Sequence, residues 1–140
     1  MAPTSWKLPV LTGYQEMDDQ HRTLIETFGR LRVLVNQGRS PDEQEALLVF
    51  FQEYLVGHLE FEQELMARHN YPGERPHRDR HGELALEIEI FVSEFQQGHQ
   101  PLSQANLEYL DNWLHQHIQD EDVPFADFLT RLPPTQEGSL

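Results

Sequence analysis

A chain of 140 residues is long enough to bury one real core and too short for two ordinary domains. With 24 acidic side chains against ten lysines and arginines, its formal net charge of -14 argues against nucleic acid as a partner, because a phosphate backbone is held by clustered cations. There is no cysteine, which excludes disulfides, zinc ribbons, cysteine-ligated iron-sulfur clusters and thiol nucleophiles together and leaves nitrogen and oxygen as metal ligands.

The opening stretch MAPTSWKLPVLTGYQEM has one lysine, two prolines and no sustained apolar run, so it does not resemble a secretory signal. No stretch approaches the roughly 18 apolar residues of a membrane span, and a soluble, cytoplasmic protein is expected. Residues 1 to about 17 lack helical periodicity, yet Trp6, Leu8, Val10, Leu11 and Tyr14 are too apolar for a free tail, which suggests an arm packed across the rest. Asp18 or Asp19 can then cap a first helix carrying Leu24, Ile25, Phe28, Leu31 and Val35 at intervals of three and four and ending near Gly38. His21 falls in its first turn on the apolar face.

Ser40, Pro41 and Glu43 form a start signal for the second and longest helix: an N-cap, a proline at the first helical position and a capping-box acid at the third. Its stripe of Leu47, Phe51, Tyr54, Leu55, His58, Glu62 and Leu65 holds two polar residues inside an apolar seam, which costs free energy unless something satisfies them. Asn70, Tyr71, Pro72 and Gly73 read as a stop and reversal. A third helix, starting near Pro76 and stopped by Gly98, places His77, His81, Leu84, Ile88, Phe91 and Phe95 on one stripe. The fourth runs from about Ser103 through Leu107, Leu110, Leu114 and His117, and Pro124 prevents its continuation beyond about Val123. A short helix with Phe125, Phe128 and Leu129 closes the chain.

The expected fold is all-α, an up-down-up-down four-helix bundle in a single domain over residues 1–140: an arm at 1–17, the bundle at about 18–122 and a terminal helix at about 124–131. In that topology the start of the first helix, the end of the second, the start of the third and the end of the fourth share one pole. His21, His58 with Glu62, His77 with His81, and His117 sit at those four ends, and an interval of four puts both members of each pair on one helix face. One acid from Asp120, Glu121 and Asp122 completes the set. His69 and His99 flank turns and His115 is two residues off the face of His117, so these three read as ordinary residues.

Five imidazoles and two carboxylates are too many for one tetrahedral zinc and suit two ions. If both carboxylates bridge and an oxo or hydroxo group is shared, about eleven coordination positions are filled, against about twelve for two octahedral ions. One open position on a redox-capable ion with imidazole and carboxylate ligands suits end-on binding of a small molecule, and iron is the expected metal.

These residues also resemble a known family, the hemerythrins, and in particular the single-domain bacteriohemerythrins. The resemblance covers almost the whole chain and rests on DDQH ending in His21, HxxxE at His58 and Glu62, HxxxH at His77 and His81, and WLxxHIxxxD from Trp113 to Asp122. It implies a four-helix bundle with a non-haem di-iron centre that binds dioxygen reversibly. In that pattern His77, His81 and His117 complete one iron, His21 and His58 hold the second, which keeps the open position, and Glu62 and Asp122 bridge. Helical arithmetic disagrees at the last position: Glu121, four residues after His117, shares its face, whereas Asp122, five on, lies about 140° away in an ideal helix. Pro124 makes the helix end irregular just there and the family's pattern has the acid at that interval, so Asp122 is the expected bridge.

The leading functional expectation is a dioxygen-binding protein, a carrier, store or sensor, and not an enzyme; a carrier would hand dioxygen to an oxygen-consuming enzyme. Around the open position the residues at hand are apolar: Trp113, Leu114 and Ile118, with no free carboxylate pair or Ser/His arrangement to suggest acid-base catalysis. The alternative is a di-iron oxidase, peroxidase or ferroxidase, for which ferritin-like proteins use carboxylate-rich sites with Glu-x-x-His pairs. A structural metal site is a third reading and predicts no open position.

Overall fold

The structure, a computed structural model, describes residues 11–132. Four long helices, α1 (Gln15–Asn36), α2 (Pro41–Arg68), α3 (Glu74–Gln96) and α4 (Gln104–His117), are followed by a π-helical turn (Ile118–Asp122) and a short helix, α5 (Val123–Thr130). α1 packs against α2 and α4, and α2 packs against α3. At one pole Gln104, opening α4, donates to Asn36 at the end of α1 (2.6 Å), and Gln96 at the end of α3 donates to Glu45 near the start of α2 (2.9 Å). Successive helices therefore run antiparallel, as in the expected up-down-up-down bundle. No helix among the described residues is long and apolar enough to cross a membrane.

Local chemistry accounts for most boundaries. Glu43 N–H donates to Ser40 Oγ (3.3 Å) while Ser40 N–H donates to the Glu43 carboxylate (3.4 Å), the reciprocal capping box expected at the head of α2. Gly38, Asn70 and Gly98 take left-handed φ of 64°, 52° and 77° just beyond the ends of α1, α2 and α3. Each donates its N–H to the carbonyl three residues back while the next residue reaches five back, as Arg39 does to Leu34 (3.0 Å) and Tyr71 to Met66 (3.0 Å). This double bond closes a helix and favours glycine or asparagine at the turning residue.

Two boundaries differ from the sequence expectation. α1 begins at Gln15, so neither Asp18 nor Asp19 is its cap; Asp18 instead accepts from Thr12 N–H and Thr12 Oγ1 (2.8 Å each) and from Gly13 N–H (3.2 Å). An aspartate inside the first turns can satisfy the incoming loop as well as one in front can satisfy the helix. Helical backbone also persists through Pro124, because the π-helical turn before it opens a new first turn in which a missing N–H costs little. Of the expected arm, Trp6, Leu8 and Val10 lie outside the described residues; Leu11 is exposed and Tyr14 packs against a small apolar cluster that includes Met17 and Phe125.

Apolar side chains form two clusters. The larger joins Leu24, Phe28 and Leu31 of α1 to Leu48, Phe51, Leu55 and Leu59 of α2, Leu84, Ile88 and Val92 of α3, and Leu107, Leu110 and Leu114 of α4. Leu48 and Val92 are more deeply buried than the expected Leu47 and Phe91, which pack at the edge of the same core, while the expected Phe51, Leu55, Leu84 and Ile88 are buried. The smaller cluster, Met17, Leu65, Met66, Phe125, Ala126 and Leu129, is capped by Tyr71, whose ring lies 4.7 Å from Phe125 and 5.1 Å from Phe128. Phe28 and Phe51 are fully buried with ring centroids 4.9 Å apart. Phe51→Ala should cost about 3–5 kcal/mol in urea unfolding, and Leu86→Ala, at a site 57% exposed, should stay within about 0.5 kcal/mol of the parent.

Candidate metal centre

On α1, α2 and the last segment the ligand candidates lie where one apolar cluster hands over to the other. Met17, His21 and Leu24 follow one another on α1; Leu59, Glu62 and Leu65 on α2; Ile118, Asp122 and Phe125 on the last segment. A polar layer results, in which His21, His58, Glu62, His77, His81, His117 and Asp122 are all between 0 and 3% exposed. All seven expected residues are brought together.

Their atoms sort into two groups that share both carboxylates: Glu62, Asp122, His77, His81 and His117 in one, and Glu62, Asp122, His21 and His58 in the other. Among the described residues these are the only groups of three or more potential ligands. The division is visible atom by atom. Glu62 Oε1 faces His77 Nε2 (3.2 Å) and His81 Nε2 (3.1 Å), whereas Oε2 faces His58 Nε2 (2.8 Å) and His21 Nε2 (3.7 Å). Asp122 Oδ1 faces His77 Nε2 (3.1 Å) and His117 Nε2 (3.3 Å), and Oδ2 faces His21 Nε2 (2.9 Å) and His58 Nε2 (3.9 Å). Each carboxylate turns one oxygen to the three-histidine group and the other to the two-histidine group.

The π-helical turn decides which of Glu121 and Asp122 enters the buried layer. Val123 N–H closes an i→i+5 bond to the Ile118 carbonyl, and a turn of that width brings residues five apart onto one face. Asp122 is thereby aimed at His117 and fully buried, while Glu121 turns outward, 3.9 Å from Arg80. Single π turns inside α-helices recur at functional sites for this reason.

Protein groups alone satisfy such a layer poorly. His21 Nε2, His58 Nε2, His81 Nε2, both Glu62 oxygens and Asp122 Oδ2 are buried without a well-formed hydrogen bond, although they crowd within 2.8–3.9 Å of one another. Buried polar groups left in that state are costly, and a cation among the facing lone pairs would satisfy them. Burial opposes the charged form of His58, but the Glu62 charge and close contacts with Asp122 and Glu62 outweigh it and raise its pKa to about 10. The same contest, with Asp122 and then Glu62 as partners, raises His77 to about 9. Burial, helped by the His117 and His77 charges, instead pulls His81 down despite Glu62. Burial pushes both carboxyls up, yet the surrounding imidazoles hold Glu62 and Asp122 well below the usual carboxylate range.

Beside this layer, Leu114 and Ile118 are buried in the larger apolar cluster next to His117. Trp113 is half-buried and, with Arg80, Glu83, Leu84, Glu87 and Gln116, lines a cleft of about 110 Å³ that reaches His117 from outside. The residues set aside stay aside: His99 is 59% exposed and pairs with Glu94, and His115 Nδ1 donates to the Asp111 carbonyl (2.9 Å) on α4. A larger open groove, lined by Glu26, Gly29, Val33 and Leu47, contains none of the seven ligand candidates. Sequence reasoning missed two glutamines, Gln20, 2.6 Å from His58 Nδ1, and Gln63, 3.2 Å from His81 Nδ1. Their only signal was adjacency in sequence to His21 and Glu62, which no periodicity singles out.

Residues 12–128 match the family model described as the hemerythrin HHE cation binding domain. The chain is 26% identical over 127 residues to a bacteriohemerythrin of Pseudomonas aeruginosa (strain LESB58), covering 91% of this chain and 82% of that one. It is 29% identical over 127 residues to a hemerythrin of Sipunculus nudus, covering 91% and 94%. A crystal structure of wild-type hemerythrin shares the fold with a TM-score of 0.76, at 23% identity over 81% of this chain and 86% of that one. The polar layer lies within the residues that match the family model, and the chain belongs to the hemerythrin family.

Proposed function

We propose that the chain binds dioxygen reversibly at a non-haem di-iron centre held by His21, His58, Glu62, His77, His81, His117 and Asp122, as a carrier, store or sensor. One observation carries this reading: Glu62 and Asp122 each divide their two oxygens between a three-histidine and a two-histidine group, so that two ions held there would share both carboxylates and differ by one histidine. Iron, when bound, supplies the electrons that dioxygen binding requires. The chain supplies positions and surroundings. Five neutral imidazoles and the carboxylates of Glu62 and Asp122 would hold the ions, the two-histidine group would leave the more open position, and Leu114 and Ile118, buried beside His117, give the layer an apolar flank.

An oxidase or peroxidase reading is less well supported, because only two of the seven groups are carboxylates and fewer negative charges are available to stabilise high-valent iron. Anaerobic loading with ferrous iron followed by alternating dioxygen and argon separates the readings: a reversible visible spectrum supports a carrier, store or sensor, and continued turnover supports an enzyme.

Iron content tests the bridge. Asp122→Ala should lose most bound iron while Glu121→Ala stays near the parent, by elemental analysis after desalting. Protons compete for the same nitrogens, since His58 and His77 are raised to about 10 and 9. Raised histidines hold protons below those values, so apparent iron affinity should strengthen with rising pH, by roughly tenfold per displaced proton per unit, and loading should release protons to a weak buffer. Stripping the metal should lower the thermal midpoint, with binding at a hundredfold over its dissociation constant contributing about 2.7 kcal/mol. Leu114→Asn introduces amide donors and an acceptor into the apolar wall. It should keep its iron yet lose reversible binding in air several-fold faster, a barrier change of about 1 kcal/mol or more, followed by decay of the visible band.

A further inference from the structure

Two of the five histidines have their outward ring nitrogen paired with a side chain, one in each group. His58 Nδ1, in the two-histidine group, lies 2.6 Å from Gln20 Oε1 of α1, and His81 Nδ1, in the three-histidine group, lies 3.2 Å from Gln63 Nε2 of α2. In both, Nε2 is the nitrogen that faces the shared carboxylates. A histidine that binds a cation through Nε2 must carry its proton on Nδ1, and the partner of that proton sets the ring's orientation and donor strength.

Gln20 already meets this demand, because its amide oxygen accepts from His58 Nδ1–H. Gln63 presents its amide nitrogen, which donates to His81 Nδ1 and selects the opposite tautomer, with the proton on the nitrogen that faces Glu62. An amide carries a donor and an acceptor on one planar group, and a half-turn exchanges them without moving the backbone. Both glutamines are half-buried.

We infer that Gln20 and Gln63 are positioning residues, one for each metal position, and that Gln63 turns its amide as its histidine takes a cation. Resting on the di-metal reading above, the inference adds an asymmetry: the two-histidine position is set in advance by Gln20, and the three-histidine position must reorient Gln63. A neutral amide at both places supports the rings without adding charge to a layer that already buries two carboxylates.

The test is anaerobic titration of the metal-free protein with Co2+ alone, followed by calorimetry and by the exchangeable, paramagnetically shifted imidazole N–H signals in NMR. The parent should take two Co2+ per chain and show slowly exchanging N–H signals for His58 and His81; failure to take two overturns the di-metal reading and this inference with it. Gln20→Ala and Gln63→Ala should keep the stoichiometry, each weaken one of the two binding steps about 10–100-fold, and each lose the matching N–H signal to solvent exchange. Unchanged affinities and signals in both overturn the inference while leaving the di-metal reading intact. Gln63→Glu can only accept, so it removes the need for the turn and should bind more tightly than the parent; Gln20→Glu should bind at least as tightly and keep its signal. Weaker binding in either glutamate variant, with an unchanged thermal midpoint of the metal-free protein, also overturns it.

Discussion

Seven ionisable side chains buried in one layer between two apolar clusters set the terms for everything else at this pole of the bundle. Isolated, each would cost several kcal/mol to take out of water, and together they can be accommodated only by sharing charge. Protein groups alone achieve part of this, by raising His58 and His77 and depressing Glu62 and Asp122, but leave nitrogen and oxygen lone pairs converging on the same small volume. Cations among them would complete the balance. The remaining structure holds those lone pairs convergent while excluding water.

Much of the helical scaffold serves that end. Phe28, Phe51, Leu55 and Ile88 fill the long half of the bundle and keep the four helices in register, so that residues from four segments meet within hydrogen-bond range. The short half is closed by α5 and Tyr71, which seat Phe125 against His77 at 5.9 Å and seal the layer from below. Left-handed turns at Gly38, Asn70 and Gly98 let helices end sharply and reverse without long connections. The terminal helix is therefore part of the site's enclosure.

The π-helical turn is where scaffold and chemistry meet most directly. An α-helical continuation would have aimed Glu121 at the histidines and turned Asp122 away. One residue of extra width exchanges them, and the shorter aspartate lands between His77, His117 and His21. Glu121 is freed to face Arg80 at the surface.

The sequence alone carried the fold class, the four helices and six of the seven ligand candidates, because these depend on short-range regularities. Apolar residues at intervals of three and four, the Ser40–Glu43 box, Gly38 and Gly98, and paired polar residues four apart each leave a local signature. Asp122 was reached through resemblance, against the helical arithmetic. Only the tertiary structure decided what depends on contacts between segments or on departures from ideal geometry: the π turn that aims Asp122, the start of α1 at Gln15, where Asp18 answers Thr12, and the pairing of Gln20 and Gln63 with histidines on neighbouring helices. A glutamine's partner 38 residues away has no period to announce it, because it is set by how two helices are rotated about their axes. That rotation is fixed by packing of the whole core.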